Sequence, residues 1–237
     1  MTLSQKFEAA LVYASVVHAG QIRKATGIPY IAHLLGVASI AFEYGADEDE
    51  GIGALLHDTA EDAGGAARID DIRVRFGEKV ATIVEGCTDT LETPKPPWRE
   101  RKEKCLAHLK ETDASTRLVS ASDKLFNVRS ILRELRQRGD ALWARFSGGK
   151  KDRLWYYRAL VIAFRQHGDH TDLIDELDRV VSEIEKLACE TAERQRRTAQ
   201  DNEDYGGRRD DVTQASLPVS SKSASCRIAT KQAGKPA

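Results

Sequence analysis

The chain has 237 residues, 41% of them hydrophobic and 31% charged, with a formal net charge of −1. That length supports one sizeable core or two small ones, and the composition is that of an ordinary globular protein. A balanced charge argues against a general nucleic-acid binder, which carries a basic excess, and no apolar stretch approaches the length of a membrane span.

Leu3, Phe7, Leu11 and Ala14 recur at helical spacing and predict an amphipathic helix over residues 3–19. Lys6 and Glu8 interrupt its apolar run, so it does not read as a secretion signal. A loop over residues 20–30 carries Arg23, Lys24, Gly27 and Pro29, and a second helix runs from about Ala32 to Tyr44, stopped by Gly45. Asp47 and Glu50 form a capping box for the next helix, whose apolar lead-in GIGALL ends in His57-Asp58. If residues 50–60 are helical, His57 stacks over Glu61 and Asp58 over Asp62, because positions four apart share a face.

Two short helices follow at 68–76 and 78–87, with Gly77 between them. The proline-bearing loop TPKPPW (93–98) leads into a helix from Trp98 to about Lys110. Asp113 or Ser115 caps a long helix reaching about Gln137. After Gly148-Gly149 a helix runs from about Lys151 to Gln166. The last helix, about Asp172 to Arg194, lines one face with Leu173, Leu177, Val180, Val181 and Ile184. No alternating run is long enough to require a strand, so the fold is read as all-α. Glycine-rich nucleotide loops and G-x-S-x-G are absent, which sets aside Rossmann, P-loop and serine-hydrolase readings.

Near Arg196 the composition changes. Residues 196–237 hold almost no large apolar side chains and are read as a disordered polar tail behind a domain of residues 1–195. The four cysteines, Cys87, Cys105, Cys189 and Cys226, form no C-x-x-C pair and read as reduced thiols of a cytoplasmic protein.

Metal-ligand-type residues sit in three separate stretches: His33 in PYIAH, His57-Asp58 in ALLHDTAED and Asp123 in SASDKLFN. Two imidazoles with two carboxylates suit Mn²⁺, Fe²⁺, Co²⁺ or Zn²⁺, and are too nitrogen-rich for a dedicated Mg²⁺ or Ca²⁺ cage. Glu61 and Asp62 supply an acid/base pair beside them, so both halves of a metal-assisted hydrolase are present. One His-Asp dipeptide is common by chance; the weight comes from the other two stretches. His18, at the end of the first helix, suits a helix-end interaction with terminal carbonyls as well as a site role.

HAGQIRKATGIPYIAH, HDTAED and SASDKLFNVRS together resemble the hydrolase domain of the RelA/SpoT-homologue family, a branch of the HD phosphohydrolase superfamily, over roughly residues 3–167. The resemblance implies an HD-domain helical bundle with a metal site in its core cleft. It implies that His33, His57, Asp58 and Asp123 hold one Mn²⁺-type ion, that Glu61 and Asp62 position and deprotonate the attacking water, and that Asn127 faces the same site. Arg23 and Lys24 would frame a nucleobase, Lys95 a phosphate, and Ser130 and Tyr157 would line the pocket. The implied reaction is removal of the 3′-pyrophosphate of ppGpp or pppGpp to give GDP or GTP, a small nucleotide substrate. Departures from the family's usual HDTVEDT and ADRLHN wording, here Ala63-Gly64, Ser122 and Phe126, and Ser130 for Thr, fall on pocket positions and spare every ligand. The alternatives are another nucleotide substrate, such as an adenosine alarmone or the 2′-phosphate of NADPH, and a non-catalytic nucleotide-binding regulator.

Overall fold

Local capping chemistry starts several of the helices where the sequence asks for them. The structure, a computed structural model, describes residues 2–23, 26–62 and 64–210, except for the side chains of Asp62 and of residues 192–210. Ser4 caps α1 (Gln5–Val17) by accepting from the Lys6 amide. After α2 (Ile31–Glu43), α3 (Glu48–Leu56) opens on a complete capping box: Asp47 accepts from the Glu50 amide at 2.9 Å and Glu50 from the Asp47 amide at 2.7 Å. Asp113, not Ser115, caps α8 (Ala114–Arg138), accepting from Thr116 at 2.7 Å. Between them lie α4 (Thr59–Asp62), α5 (Gly65–Phe76), α6 (Glu78–Cys87) and α7 (Trp98–Leu109). A 3₁₀ turn (Gly139–Arg145) that the sequence does not announce joins α8 to α9 (Gly149–Arg165), and α10 (Thr171–Asp210) closes the order. Every regular element among the described residues is helical, and none is long and apolar enough to cross a membrane.

Two expectations change. HDTAED does not lie on one helix. α3 stops at Leu56, His57 and Asp58 form a turn, and α4 starts anew at Thr59, so neither His57 over Glu61 nor Asp58 over Asp62 is built as a helical stack. The reason is local competition for carbonyls: His57 Nδ1 binds Ala54 O at 2.8 Å and Thr59 Oγ1 donates to Leu56 O at 2.6 Å. The last helix also runs past Arg194, to Asp210. Residues 195–204, QRRTAQDNED, hold no proline or glycine to stop it. The compact unit ends at Glu193 and a second begins at Arg194. The part of the expected tail from 211 onward lies outside the described residues.

The core is organised around α3. Gly51 to Leu56 are all buried, and the helix packs against α1, α2, α6 and α8. Two glycines set how closely its surroundings approach. A Cβ on Gly53 would stand 2.7 Å from Ile83 Cγ2, so α3 and α6 meet where only hydrogen fits. A Cβ on Gly36 would stand 2.0 Å from the Phe126 ring, which is how α2 and α8 close together. Gly36→Ala gains helix propensity but forces that ring aside, and is expected to destabilise by about 1–3 kcal/mol in chemical denaturation; an unchanged midpoint would mean the ring swings away freely.

Candidate metal centre

Two helices and a turn deliver the ligand-type residues to one point. His33 lies in the first turn of α2, His57 and Asp58 in the α3–α4 turn, and Asp123 in the buried middle of α8. His33, His57 and Asp58 each offer an atom within 4.8 Å of the others. Asp58 Oδ2 stands 3.3 Å from His33 Nε2 and 3.1 Å from His57 Nε2. Asp123 Oδ1 flanks the same two nitrogens at 3.3 and 3.7 Å. The four residues expected to act together are therefore brought together.

His57 tests whether a cation fits. The Ala54 carbonyl can only accept, so the proton of a neutral ring sits on Nδ1 and Nε2 presents a lone pair. That Nε2 is buried without a hydrogen-bond partner, facing carboxylate oxygens. A lone pair converging with carboxylates is unfavourable unless a proton or a metal ion sits among them. The bond to Ala54 is the outer support that fixes a ligating imidazole's tautomer. Burial would depress the His57 pKa, but the adjacent Asp58 charge and the Asp123 and Asp58 carboxylates facing its Nε2 hold it well above the ordinary imidazole range. Burial would raise Asp58 and Asp123, yet His57 beside the first and Lys124 beside the second hold both well below the carboxylate range. The mixed nitrogen/oxygen set fits a divalent transition ion.

Around the ligands lies a ring of donors, part of it unforeseen. Asn127 donates to Asp123 Oδ1 at 2.6 Å and accepts from Arg23 Nη2 at 2.9 Å, so two expected site residues form a relay onto a ligand. The Arg23 guanidinium lies 5.1 Å from the Phe126 ring, which in turn packs at 5.1 Å against His33. Lys124 Nζ lies 2.5 Å from Asp123 Oδ2, and burial, which would lower its pKa, is outweighed by that carboxylate. The sequence reading passed over Lys124; its adjacency to Asp123 was the available signal. It also passed over Tyr30, whose hydroxyl donates to Asp58 Oδ2 at 2.6 Å.

Glu61 is placed differently from the helical-stack expectation. It accepts from Lys95 Nζ at 2.7 Å and from the Asp89 amide at 3.2 Å, so the loop after α6 reaches back to it. Asp89 anchors that loop through Arg101 and, at 2.9 Å, Lys102. Ser130 donates to Phe126 O at 3.1 Å and lines, with Gly36, Phe126 and Arg133, an open groove of about 410 Å³ between α2 and α8. Tyr157 is buried on α9 beside Arg153 and Trp143; burial raises its phenol pKa, with Arg153 acting against it and Asp123 with it. Lys24 and the side chain of Asp62 lie outside the described residues.

Fold and site are those of an HD-domain protein: residues 10–152 match the HD domain family, and the chain belongs to it. Among its relatives are proteins called guanosine-3′,5′-bis(diphosphate) 3′-pyrophosphohydrolase MESH1. The one from Xenopus tropicalis is 38% identical over 124 residues, 51% of this chain and 66% of that protein. The one from Mus musculus is 36% identical over 133 residues, 55% of this chain and 71% of that protein. The chain thus spans about two thirds of the length of these curated relatives. A solved structure described as a metazoan ortholog of SpoT that hydrolyzes ppGpp superposes with a TM-score of 0.61 at 27% identity, covering 76% of this chain and 96% of that one.

Proposed function

We propose that this chain hydrolyses the guanosine alarmones ppGpp and pppGpp, releasing the 3′-pyrophosphate to leave GDP or GTP, and that it uses Mn²⁺ in the cytoplasm. The observation that carries the reading is the convergence of His33, His57, Asp58 and Asp123 on one lone-pair-lined point, in a chain 36–38% identical to enzymes bearing that name. The imidazole/carboxylate donor set supports Mn²⁺, and the free thiols of Cys87, Cys105 and Cys189 fit a reducing compartment.

Those four residues would hold the ion, which supplies Lewis acidity toward water and phosphoryl oxygen at neutral pH. Glu61, with Asp62, accepts the proton of the attacking water. The new bond forms at the phosphorus attached to the 3′-oxygen, that ester bond breaks, and the ribose hydroxyl leaves protonated. Lys95 neutralises phosphate charge, releasing Glu61 from their ion pair as it does so. Asn127 holds Asp123 in place. Arg23 and Lys24 frame the base, with Ser130 and Tyr157 as further pocket walls.

Arg23→Ala is expected to raise KM about tenfold, the size of a lost charged hydrogen bond, in steady-state assays; an unchanged KM would take Arg23 out of the pocket. The chemistry is assigned to residues 1–195, so a chain ending at residue 200 is expected to keep its hydrolytic rate. The deciding experiment resolves, by anion exchange, the products from ppGpp, pppGpp, ppApp and NADPH with the Mn²⁺-loaded protein. Metal-dependent GDP and pyrophosphate from ppGpp support the reading. Phosphate from NADPH alone moves the activity to another nucleotide, and no turnover despite a bound ion removes it.

A further inference from the structure

Tyr30 occupies a position that metal ligation alone does not explain. It is the residue before α2, three before His33. Its amide donates to Gln21 O at 2.9 Å, and Ile22 and Pro29 pair as an isolated bridge, so both ends of the connecting loop are tied. Its ring is held between two imidazoles: His18 stacks on it at 5.1 Å with planes 22° apart, and His33 meets it edge-on at 5.5 Å. The hydroxyl then has one short bond, 2.6 Å, to Asp58 Oδ2. That length belongs to a charge-assisted O–H···O⁻ bond. The oxygen it grips is the one facing both His33 and His57.

His18 is 3% exposed. Its Nδ1 contacts Gln21 Oε1 at 2.7 Å, while Nε2 is buried without a hydrogen-bond partner. What it presents to Tyr30 is its flat face. It sits 15 residues from His33 and at the end of a different helix, so the stack ties α1 to the ligand cluster.

We propose that His18 and Tyr30 form a positioning stack for Asp58: His18 holds the Tyr30 ring, and the Tyr30 hydroxyl fixes which oxygen of Asp58 faces the two imidazoles. Tyr30 is a positioning residue, since it acts through Asp58. This rests on the divalent-ion reading of the site, and the test separates the two. Removing an outer-shell donor of this kind weakens metal affinity about 10–100-fold. Tyr30→Phe deletes only the hydroxyl, His18→Ala deletes the face, and His18→Phe keeps the face without the nitrogens.

The experiment is a Mn²⁺ titration of the substrate-free full chain, followed by calorimetry and by the loss of the free-ion EPR signal, with circular dichroism as a check on folding. Wild type and His18→Phe are expected to bind with the same affinity, and Tyr30→Phe and His18→Ala at least about tenfold more weakly. Tyr30→Phe binding like wild type overturns the proposal. So does His18→Phe binding as weakly as His18→Ala, because the face alone would then not hold Tyr30. If Tyr30→Phe does not fold, the His18 pair decides by the same comparison. A wild-type chain that binds no divalent ion overturns the metal reading itself, an outcome distinct from the other two.

Discussion

Asp58→Ala is expected to abolish divalent-ion binding and turnover together. Asp58 contributes the oxygen that stands 3.3 and 3.1 Å from the two imidazole nitrogens, so its loss leaves three ligands and opens the cluster on one side. Binding to the native state alone stabilises a protein by about 2.7 kcal/mol at a ligand concentration one hundred times Kd. Mn²⁺ is therefore expected to raise the melting temperature of the wild type and leave that of Asp58→Ala unmoved. The same substitution at Asp123 is a less clean test. Asp123 is also the partner of Lys124, whose side chain is 17% exposed, and removing one member of a buried ion pair destabilises by about 3–5 kcal/mol. Asp123→Ala is thus expected to lose stability as well as metal, and Asp58→Ala mainly metal. Mn²⁺ bound to Asp58→Ala at wild-type strength in calorimetry would remove Asp58 from the ligand set.

Glu61→Gln with Asp62→Asn is expected to give the opposite separation, with metal retained and turnover lost. Loss of a positioned general base lowers rates by about 10²–10⁴, so kcat is expected to fall by that factor. The oxygens around His57 Nε2 belong to Asp58 and Asp123, which both substitutions leave unchanged, so the Mn²⁺ affinity is expected to stay at the wild-type value. Glu61 is already held, by Lys95 at 2.7 Å and the Asp89 amide at 3.2 Å. These two donors use different oxygens of Glu61, so a glutamine keeps an acceptor for one of them and gives up the other bond. A double variant that turns over at the wild-type rate would take the acid/base role away from both residues.

The helix boundaries show which parts of the fold a linear reading can reach. The capping box at Asp47–Glu50 and the cap at Asp113 are closed by partners three residues away, so local sequence contains the whole interaction. The break at His57 is local too, yet it departs from the one continuous helix that the spacing predicts. The spacing of HDTAED is compatible with a continuous helix, and the outcome depends on His57 and Thr59 turning back onto the carbonyls of Ala54 and Leu56. Residue types do not state which way a side chain turns.

The site divides in the same manner. His33, His57, Asp58 and Asp123 were legible because imidazole and carboxylate are the side chains that bind such ions, and their motifs keep the same order along the chain. Sequence by itself determined the helical class and the HD-domain resemblance, and it singled out the four candidate ligands that the fold brings together. The tertiary structure alone decided what surrounds those ligands. Tyr30 meets Asp58 across 28 positions, Arg23 meets Asn127 across 104 and Lys95 meets Glu61 across 34. Each pairing depends on how the helices pack, with close approaches such as those at Gly36 and Gly53. That close approach is set by the whole core at once, and no local stretch encodes it.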